Sequence, residues 1–272
     1  MSRTFVTAAA ASLLALASTS SKAGPVFLTG HDPDFHSQTS GGAQNLLNTA
    51  LKFVTKGTYK DGTHKFLWVE STIAPPAGHL VGENGLLAIG LTAGLNFDTA
   101  TGAQFATVDL SKYTAIAIAS DFGGLLTSAE IGALNARSTD IKAFINGGGG
   151  LFAAAECGPG FSNCISDLVT SSDKLFGFLP ITAVSTDTVP PYSVTAYGAS
   201  LGLTNGDVND ATHNSFASAA GLNIVDLDHA GNPTTLAGNV QIGGGGFVPE
   251  PSSVATFGAG FVALAARARR RR

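Results

Sequence analysis

Apolar residues along this chain form two patterns, short continuous runs and stretches in which they recur every three or four positions. Continuous runs predict strands that are buried on both faces, and the wider spacing predicts amphipathic helices. The predicted strands are Val26–Thr29, Lys65–Val69, Tyr113–Asp121, Leu151–Ala155, Leu222–Asp228 and Thr234–Leu236, with further β-like sequence at Ile181–Thr195. The predicted helices are Ala43–Val54, Asn84–Leu91, Ile165–Phe176 and one from Thr127 to Ile145. Strands and helices therefore alternate along the chain.

The central segment has the clearest order of elements. The apolar run Tyr113–Asp121 is followed by Thr127-Ser128-Ala129-Glu130, a capping box in which a hydroxyl and a carboxylate satisfy free N–H groups at a helix start. Four glycines, Gly147–Gly150, end the predicted helix, and the apolar run Leu151–Ala155 comes next. A strand, a helix and a second fully apolar strand are typical of a βαβ unit. The sequence thus predicts an α/β domain with a mostly parallel sheet.

The first 23 residues have the pattern of a secretory signal peptide. Arg3 provides the positive start, Phe5–Leu16 forms the apolar core, and Ser21-Lys22-Ala23 places small residues before a cleavage site. We expect the export machinery to engage residues 1–23 and signal peptidase to cut before Gly24.

The last residues of the chain combine three features in a fixed order. Pro249-Glu250-Pro251 is followed by the apolar run Ser253–Ala266 and then by an arginine cluster, Arg267–Arg272. This order resembles the PEP-CTERM sorting signal of exported bacterial proteins. The resemblance implies that an exosortase-type membrane protease recognises the tail and removes it. It also implies delivery to the cell envelope, on the outer surface or in the extracellular matrix.

The apolar run of the tail is too short for a stable membrane span. It falls below the ~20 residues that cross a bilayer comfortably, and arginines after it hold that end on the cytoplasmic side. We therefore expect a transmembrane helix that anchors the protein only until cleavage, and a permanent single-pass tail anchor is the alternative. The predicted organisation is a signal peptide at 1–23, a domain at 24–242, a Gly-rich linker at 243–247 and the sorting signal at 248–272.

Removal of the two signals changes the net charge. The chain has 15 Lys and Arg against 19 Asp and Glu, but seven of the basic residues lie in the signals. The remaining 8 basic residues stand against 19 acidic residues, or 18 if Glu250 leaves with the tail, so the net charge is −11 or −10. Nucleic acid and anionic membranes need a basic surface, so this charge argues against both as partners. Neutral glycans, including extracellular polysaccharide, and cations are compatible with it.

The two cysteines, Cys157 and Cys164, lie close together in a segment rich in glycine and proline. In an exported protein such a pair predicts a disulfide bond. The alternative is that Cys157 carries a reactive thiol.

A second resemblance concerns the central segment. A strand ending in Ser120-Asp121, the helix entered through Thr127, and the run Gly147–Phe152 resemble the class I glutamine amidotransferase-like superfamily. The resemblance implies a flavodoxin-like sheet with helices on both faces. It also implies a nucleophile on the turn after Leu151–Ala155, where Cys157 and Glu156 are the candidate catalytic residues. The family's His-x-Glu pair has its nearest match at His213, where Ser215 replaces the glutamate.

The loop Gly30–His36 collects polar residues directly after the first predicted strand. Ligands of parallel α/β sheets bind beyond the carboxyl ends of the strands. A polar loop in which the carboxylates bond their own backbone is the alternative. The candidate ligand-binding residues are His31, Asp32, Asp34, His36, Asp121 and His213, and His31, Asp34 and His36 are candidate ligands for a divalent metal.

Two functions are compatible with these features. The first is a non-catalytic, ligand-binding protein of the cell surface or matrix, and we favour it because the elements of the catalytic turn are incomplete. The second is a hydrolase that uses Cys157 or a metal in the His31–His36 loop.

Overall fold

The structure, a computed structural model, describes residues 22–71, 82–121, 126–156, 175–188, 190–209, 212–243 and 246–249. Cys157, Cys164, Glu250, Pro251 and most of the signal peptide lie outside these ranges, as do the apolar run of the tail and nearly all of the helix predicted at Ile165–Phe176. The side chains of His213 and Pro249 lie outside the description as well.

The domain is mixed α/β and is built on a nine-stranded sheet whose first half is parallel. The parallel strands lie side by side in the order β3-β2-β4-β5-β1. Every residue of β1, β2, β4 and β5 is buried, as their continuous apolar sequences predict. Their bounds are β1 Gly24–Thr29, β2 Phe66–Val69, β3 Phe97–Ala100, β4 Ala115–Ile118 and β5 Gly150–Ala154.

The second half of the sheet is antiparallel. The long strand β10 pairs with β1 on one side, and the sheet continues through β9 to β7. A short last strand, β11, also pairs with β10. A separate two-stranded sheet is formed by β6 and β8. The bounds are β6 Ala183–Thr188, β7 Ser193–Val194, β8 Thr212–Phe216, β9 Asn223–Leu227, β10 Pro233–Gly243 and β11 Gly246–Pro249.

Seven α-helices occur in the described ranges, and none of them is long and apolar enough to cross a membrane. The longest, α2, begins after Ser40, whose hydroxyl accepts a hydrogen bond from the backbone N–H of Ala43, and it packs on β1 and β5. The bounds are α1 Pro33–His36, α2 Gly41–Val54, α3 Glu83–Ala88, α4 Gly102–Phe105, α5 Ser128–Ala136, α6 Ser138–Asn146 and α7 Ala196–Ser200.

The helix predicted from Thr127 to Ile145 is two helices in the structure. The predicted capping box is present, because Glu130 accepts a hydrogen bond from the backbone N–H of Thr127 and the Thr127 hydroxyl accepts one from the backbone N–H of Ala129. The break lies at Arg137, whose backbone leaves helical geometry (φ −95°, ψ 19°). Its guanidinium donates to the carbonyl oxygens of Phe105 and Val108, which ties the break to the loop after α4. These contacts with residues distant in the sequence divide the segment into two helices. The helical spacing of its apolar residues gives no sign of them.

A Gly-rich linker was expected at residues 243–247, but Gly243, Gly246 and Phe247 lie in strands. Gly243 is the last residue of β10, and Gly246–Pro249 forms β11, which returns antiparallel along β10. The alternation of the buried Phe247 and the exposed Val248 is typical of a strand with one buried face. The domain consequently continues as far as Pro249.

Candidate functional site

Buried polar side chains follow each of four neighbouring parallel strands. His31, Asp32 and Asp34 follow β1, Glu70 follows β2, Ser120 and Asp121 follow β4, and Glu156 follows β5, and all of them are buried. Because the carboxyl ends of parallel strands meet at one edge of the sheet, these residues lie together there. We refer to Asp34, Glu70, Ser120 and Glu156 as the carboxyl cluster.

Asp34 is a fully buried carboxyl group, on the first turn of α1. Its Oδ2 atom accepts two hydrogen bonds, one from the backbone N–H and one from the hydroxyl of Ser120, each 3.0 Å long. Its Oδ1 atom is buried and has no hydrogen-bond partner among the described residues. One half of this carboxyl group is therefore satisfied and the other is not.

Glu70 repeats this arrangement at the end of β2. Its Oε2 atom accepts hydrogen bonds from the indole N–H of Trp68 (2.7 Å) and the backbone N–H of Glu83 (2.8 Å). Its Oε1 atom is buried and, within the described ranges, also lacks a partner. Asp34 and Glu70 take part in no salt bridge among the described residues. Two unsatisfied carboxyl oxygens thus lie in one buried region.

Glu156 joins the cluster from the end of β5. Its Oε2 atom is 3.4 Å from the hydroxyl of Ser120, which also bonds Asp34. Its backbone N–H donates to Oδ1 of Asp121 (2.8 Å), so the ends of β4 and β5 are fixed relative to one another. The Ser120 hydroxyl is shared between two acid side chains.

Gly82 lies against the carboxyl cluster, and a side chain at this position would overlap it. A Cβ atom at this position would lie 2.8 Å from Oδ2 of Asp34, 2.9 Å from the Trp68 ring and 3.0 Å from Oε2 of Glu70. Real Cβ atoms do not approach other atoms so closely. The start of α3 therefore packs directly on both carboxyl groups, and it brings them near a common point.

Burial shifts the acid–base behaviour of the two carboxyl groups. Burial raises the pKa of Asp34 to about 6, helped by the negative charge of Glu156 and opposed by the hydrogen bonds from Ser120. Burial raises the pKa of Glu70 to about 7, opposed by the hydrogen bonds from Trp68 and Glu83. Near neutral pH each group is thus a mixture of a protonated form, which donates and accepts, and an ionised form, which only accepts.

A buried histidine–aspartate pair lies next to this edge. Nε2 of His31 is 2.9 Å from Oδ2 of Asp226, a β9 residue that also accepts a hydrogen bond from the Thr234 hydroxyl. The His31 ring stands edge-on to Tyr192, with centroids 4.8 Å apart. Nδ1 of His31 is buried and has no hydrogen-bond partner in the part of the chain that the structure describes. Asp226 fixes the orientation of the imidazole and leaves Nδ1 for another contact.

The expected metal ligands His31, Asp34 and His36 have separate partners. His31 pairs with Asp226, Asp34 bonds Ser120, and His36, which is 31% exposed, lies 3.3 Å from Asp32. Within the described ranges, no group of three or more His, Cys, Asp or Glu side chains is arranged to hold a metal ion. The structure brings Asp34, Asp121 and Glu156 together, whereas His213 lies in β8 of the separate two-stranded sheet.

Three residues of this region were missed by the sequence analysis. Glu70 and Ser120 could have been selected in the same way as Asp121, since Glu70 is the first residue after β2 and Ser120 is the second residue after β4. Asp226 carries no such signal, because it lies inside β9 and its partner His31 is 195 positions away. Glu70 was therefore predictable from the sequence, and Asp226 was not.

Comparison with known families identifies the tail. The PEP-CTERM protein-sorting motif matches residues 247–271, which confirms the signal predicted at 248–272 and begins one residue earlier. The motif indicates a protein that an exosortase, a membrane protease, sorts to the cell surface after export. It also indicates transient anchoring in the membrane through the tail. No curated protein and no solved structure gives a match to the chain.

Proposed function

We propose that this is a non-catalytic protein of the cell surface or extracellular matrix whose α/β domain binds a polyhydroxylated ligand, such as a segment of extracellular polysaccharide, at the carboxyl cluster. The observation that carries the proposal is the pair of buried, unpartnered oxygens, Asp34 Oδ1 and Glu70 Oε1. A buried acceptor without a partner costs ~1–3 kcal/mol. A ligand that donates hydrogen bonds to both oxygens removes that cost.

The chemistry of the cluster favours hydroxyl groups as its partners. A sugar hydroxyl both donates and accepts hydrogen bonds. It can therefore bond to an ionised carboxyl group, which only accepts, and to a protonated one, which also donates. Asp34 and Glu70 have no cationic neighbour among the described residues to satisfy them internally. The net charge of −10 outside the two signals is compatible with a neutral glycan and argues against nucleic acid.

The order of the parallel strands supports the proposed relation to the amidotransferase-like superfamily. Flavodoxin-like sheets have the order 2-1-3-4-5. In this chain β3-β2-β4-β5 corresponds to the first four places of that order, and β1 takes the fifth. We therefore interpret the parallel half of the domain as a permuted flavodoxin-like sheet in which the chain begins with the strand that normally ends the parallel sheet.

A hydrolase remains the second candidate function, and one observation favours it. Glu156 is the second residue after β5, where the resemblance implies a nucleophile, and Asp226 orients the imidazole of His31. Cys157 is the next residue in the sequence. A thiol-reactive probe tests this candidate. Fast labelling of Cys157 in the exported protein, together with loss of a hydrolytic activity in Cys157→Ser, would replace the binding function by catalysis.

Calorimetric titration of the full chain with neutral oligosaccharide fragments of the polysaccharide that the producing cells export tests the binding function. We expect Asp34→Asn and Glu70→Gln each to weaken binding about tenfold or more, because each replaces one carboxyl acceptor. Asp98→Asn, at a carboxylate that is 37% exposed and lies outside the cluster, is the matched control and should bind normally. Equal affinity in all four proteins would contradict the proposal. Titration with Ca²⁺, Mn²⁺ and Zn²⁺ tests the divalent metal expected for His31, Asp34 and His36.

A further inference from the structure

The sorting motif and the folded sheet share residues. The motif begins at Phe247, and β11 spans Gly246–Pro249. Along β10, Ile242 is opposite Phe247, Gln241 is opposite Val248, and Val240 is opposite Pro249. The first three residues of the motif are therefore paired in the sheet of the domain.

The strand β11 packs against the domain and has a buried side chain. Phe247 is only 6% exposed, whereas its neighbour Val248 is 52% exposed. The backbone of Gly221 approaches β11 so closely that a Cβ atom there would lie 2.7 Å from the carbonyl oxygen of Phe247. Separation of β11 from the sheet thus exposes an aromatic side chain and costs free energy.

A side chain from a distant helix holds the partner strand in place. Asn146, the last residue of α6, donates from Nδ2 to the carbonyl of Ile242 (2.9 Å) and accepts from its N–H at Oδ1 (2.6 Å). Both backbone groups of Ile242 therefore point toward Asn146, so Ile242 and Phe247 form a non-hydrogen-bonded pair, in which the side chains lie closest. Asn146 supports β10 where β11 is attached, although it lies outside the sorting motif.

We infer that the pairing of β11 with β10 withholds the start of the sorting motif from the exosortase, so that processing of the tail requires β11 to separate. Because Ile242 and Phe247 form a non-hydrogen-bonded pair and Pro249 has no N–H, Val248 is the motif residue whose backbone groups face β10. Those groups cannot bond to Gln241 and to a protease at the same time, and extension of the motif along a protease also removes Phe247 from its buried position. The rate of tail removal then follows the local opening equilibrium of β11. This inference rests on the sorting motif and β11 alone, and it does not depend on the ligand proposed for the carboxyl cluster.

The substitution Asn146→Ala tests the inference without any change in the sequence that the protease reads. In cells that contain the cognate exosortase, the full chain with Asn146→Ala should lose its tail about three- to tenfold faster than the wild type, as followed by pulse-chase and intact mass. This is the effect that loss of one or two hydrogen bonds has on a local opening equilibrium. An unchanged rate of tail removal would overturn the inference.

A matched control separates local opening from global instability. Thr127→Ala removes the hydroxyl of the α5 capping box, which costs a similar number of hydrogen bonds far from β11 along the chain. We expect tail removal in Thr127→Ala at the wild-type rate. Equal acceleration in both variants would show that overall stability controls processing, and the inference would fail.

A disulfide bond between β10 and β11 should slow tail removal, which is the opposite of the effect expected for Asn146→Ala. The pair Ile242→Cys and Phe247→Cys places two thiols across a non-hydrogen-bonded pair, whose Cα atoms are ~4.5 Å apart and can be bridged. The oxidised double variant should keep its tail, and the reduced protein should be processed at the rate of Phe247→Cys alone, which controls for the altered motif. Processing of the oxidised form at that same rate would contradict the role of β11.

Discussion

Ser120 donates two hydrogen bonds to one oxygen of Asp34, from its backbone N–H and from its hydroxyl, across 86 positions of sequence. The two bonds fix the orientation of the carboxyl group and leave its second oxygen buried without a partner in the described structure. The ends of β1 and β4 are therefore joined by a contact that satisfies only half of the acid. That incomplete satisfaction is the basis of the binding function proposed for the carboxyl cluster.

The two buried carboxyl groups should make stability depend on pH. The pKa values of Asp34 (about 6) and Glu70 (about 7) lie above the ordinary 3.8 and 4.5, so the folded state keeps protons that the unfolded state releases. Their contribution is fully present below about pH 4 and is lost as pH rises to about 7, by on the order of 3 kcal/mol for each group. Urea unfolding across that range measures it.

Variants separate this contribution from that of all other titrating groups. Asp34→Asn and Glu70→Gln should each flatten the fall in the free energy of unfolding between about pH 4 and pH 7, because the amide does not titrate. Asp98→Asn should keep the wild-type slope. If the two cluster variants also keep that slope, Asp34 and Glu70 do not hold protons in the folded state.

Loss of Asp226 should be costly because it leaves buried partners unpaired. Asp226→Ala removes the acceptor of both the His31 imidazole and the Thr234 hydroxyl. We expect a decrease of about 2–4 kcal/mol in the free energy of unfolding, because two buried donors lose their acceptor. Asp98→Ala breaks the partly exposed pair with Lys65 and should cost no more than about 1 kcal/mol. Similar costs for the two variants, measured by urea unfolding, would contradict the importance of the buried pair.

Replacement of Gly82 should disturb the cluster through steric overlap alone. The Cβ atom of Gly82→Ala would overlap Asp34, Trp68 and Glu70, so α3 must move away and weaken the bond between Trp68 and Glu70. We expect weaker ligand binding and a changed tryptophan fluorescence spectrum. Gly132→Ala, in α5 with open space around its Cβ position, is the control and should leave both unchanged while it stabilises the helix by about 0.5–1 kcal/mol. An unaltered spectrum in Gly82→Ala would show that α3 does not press on the cluster.

The cysteine pair yields a prediction about the exported protein. If Cys157 and Cys164 form a disulfide, intact mass and thiol labelling should find no free thiol before reduction and two after it. Reduction should lower the free energy of unfolding by about 2 kcal/mol, since the closed loop is short. A free Cys157 in the exported protein would favour the hydrolase candidate instead.

Most elements of the parallel half were predictable because their sequences are strongly apolar. The runs that became β1, β2, β4 and β5 are buried on both faces, and the helical spacing of α2 is regular. The strand β3, Phe97–Ala100, was missed because only its two end residues are fully buried and its four residues are too few for a pattern. The glycines around β11 predicted a linker, whereas pairing with β10 and burial of Phe247 decided its structure.

Part of the site was predictable, because ligands of parallel α/β sheets bind beyond the carboxyl ends of the strands. The position of polar residues after predicted parallel strands selected Asp34 and Asp121, the resemblance selected Glu156, and the same position applies to Glu70. The partner of His31 was not predictable, since it comes from an antiparallel strand whose place beside β10 depends on the whole fold. Which oxygens lack a partner is also a property of packing, and it becomes visible only in three dimensions.

Proton release on ligand binding would show whether the ligand contacts the carboxyl cluster. Hydrogen bonds from ligand hydroxyls favour the ionised form of a carboxyl group and so lower its pKa. Calorimetry of the full chain with the oligosaccharide near pH 6.5, in two buffers of different ionisation enthalpy, counts the protons exchanged. We expect net proton release from the wild type and a smaller release from Asp34→Asn and from Glu70→Gln. Binding without proton exchange would contradict a ligand site at the carboxyl cluster. Proton release from both variants equal to that of the wild type would contradict it as well.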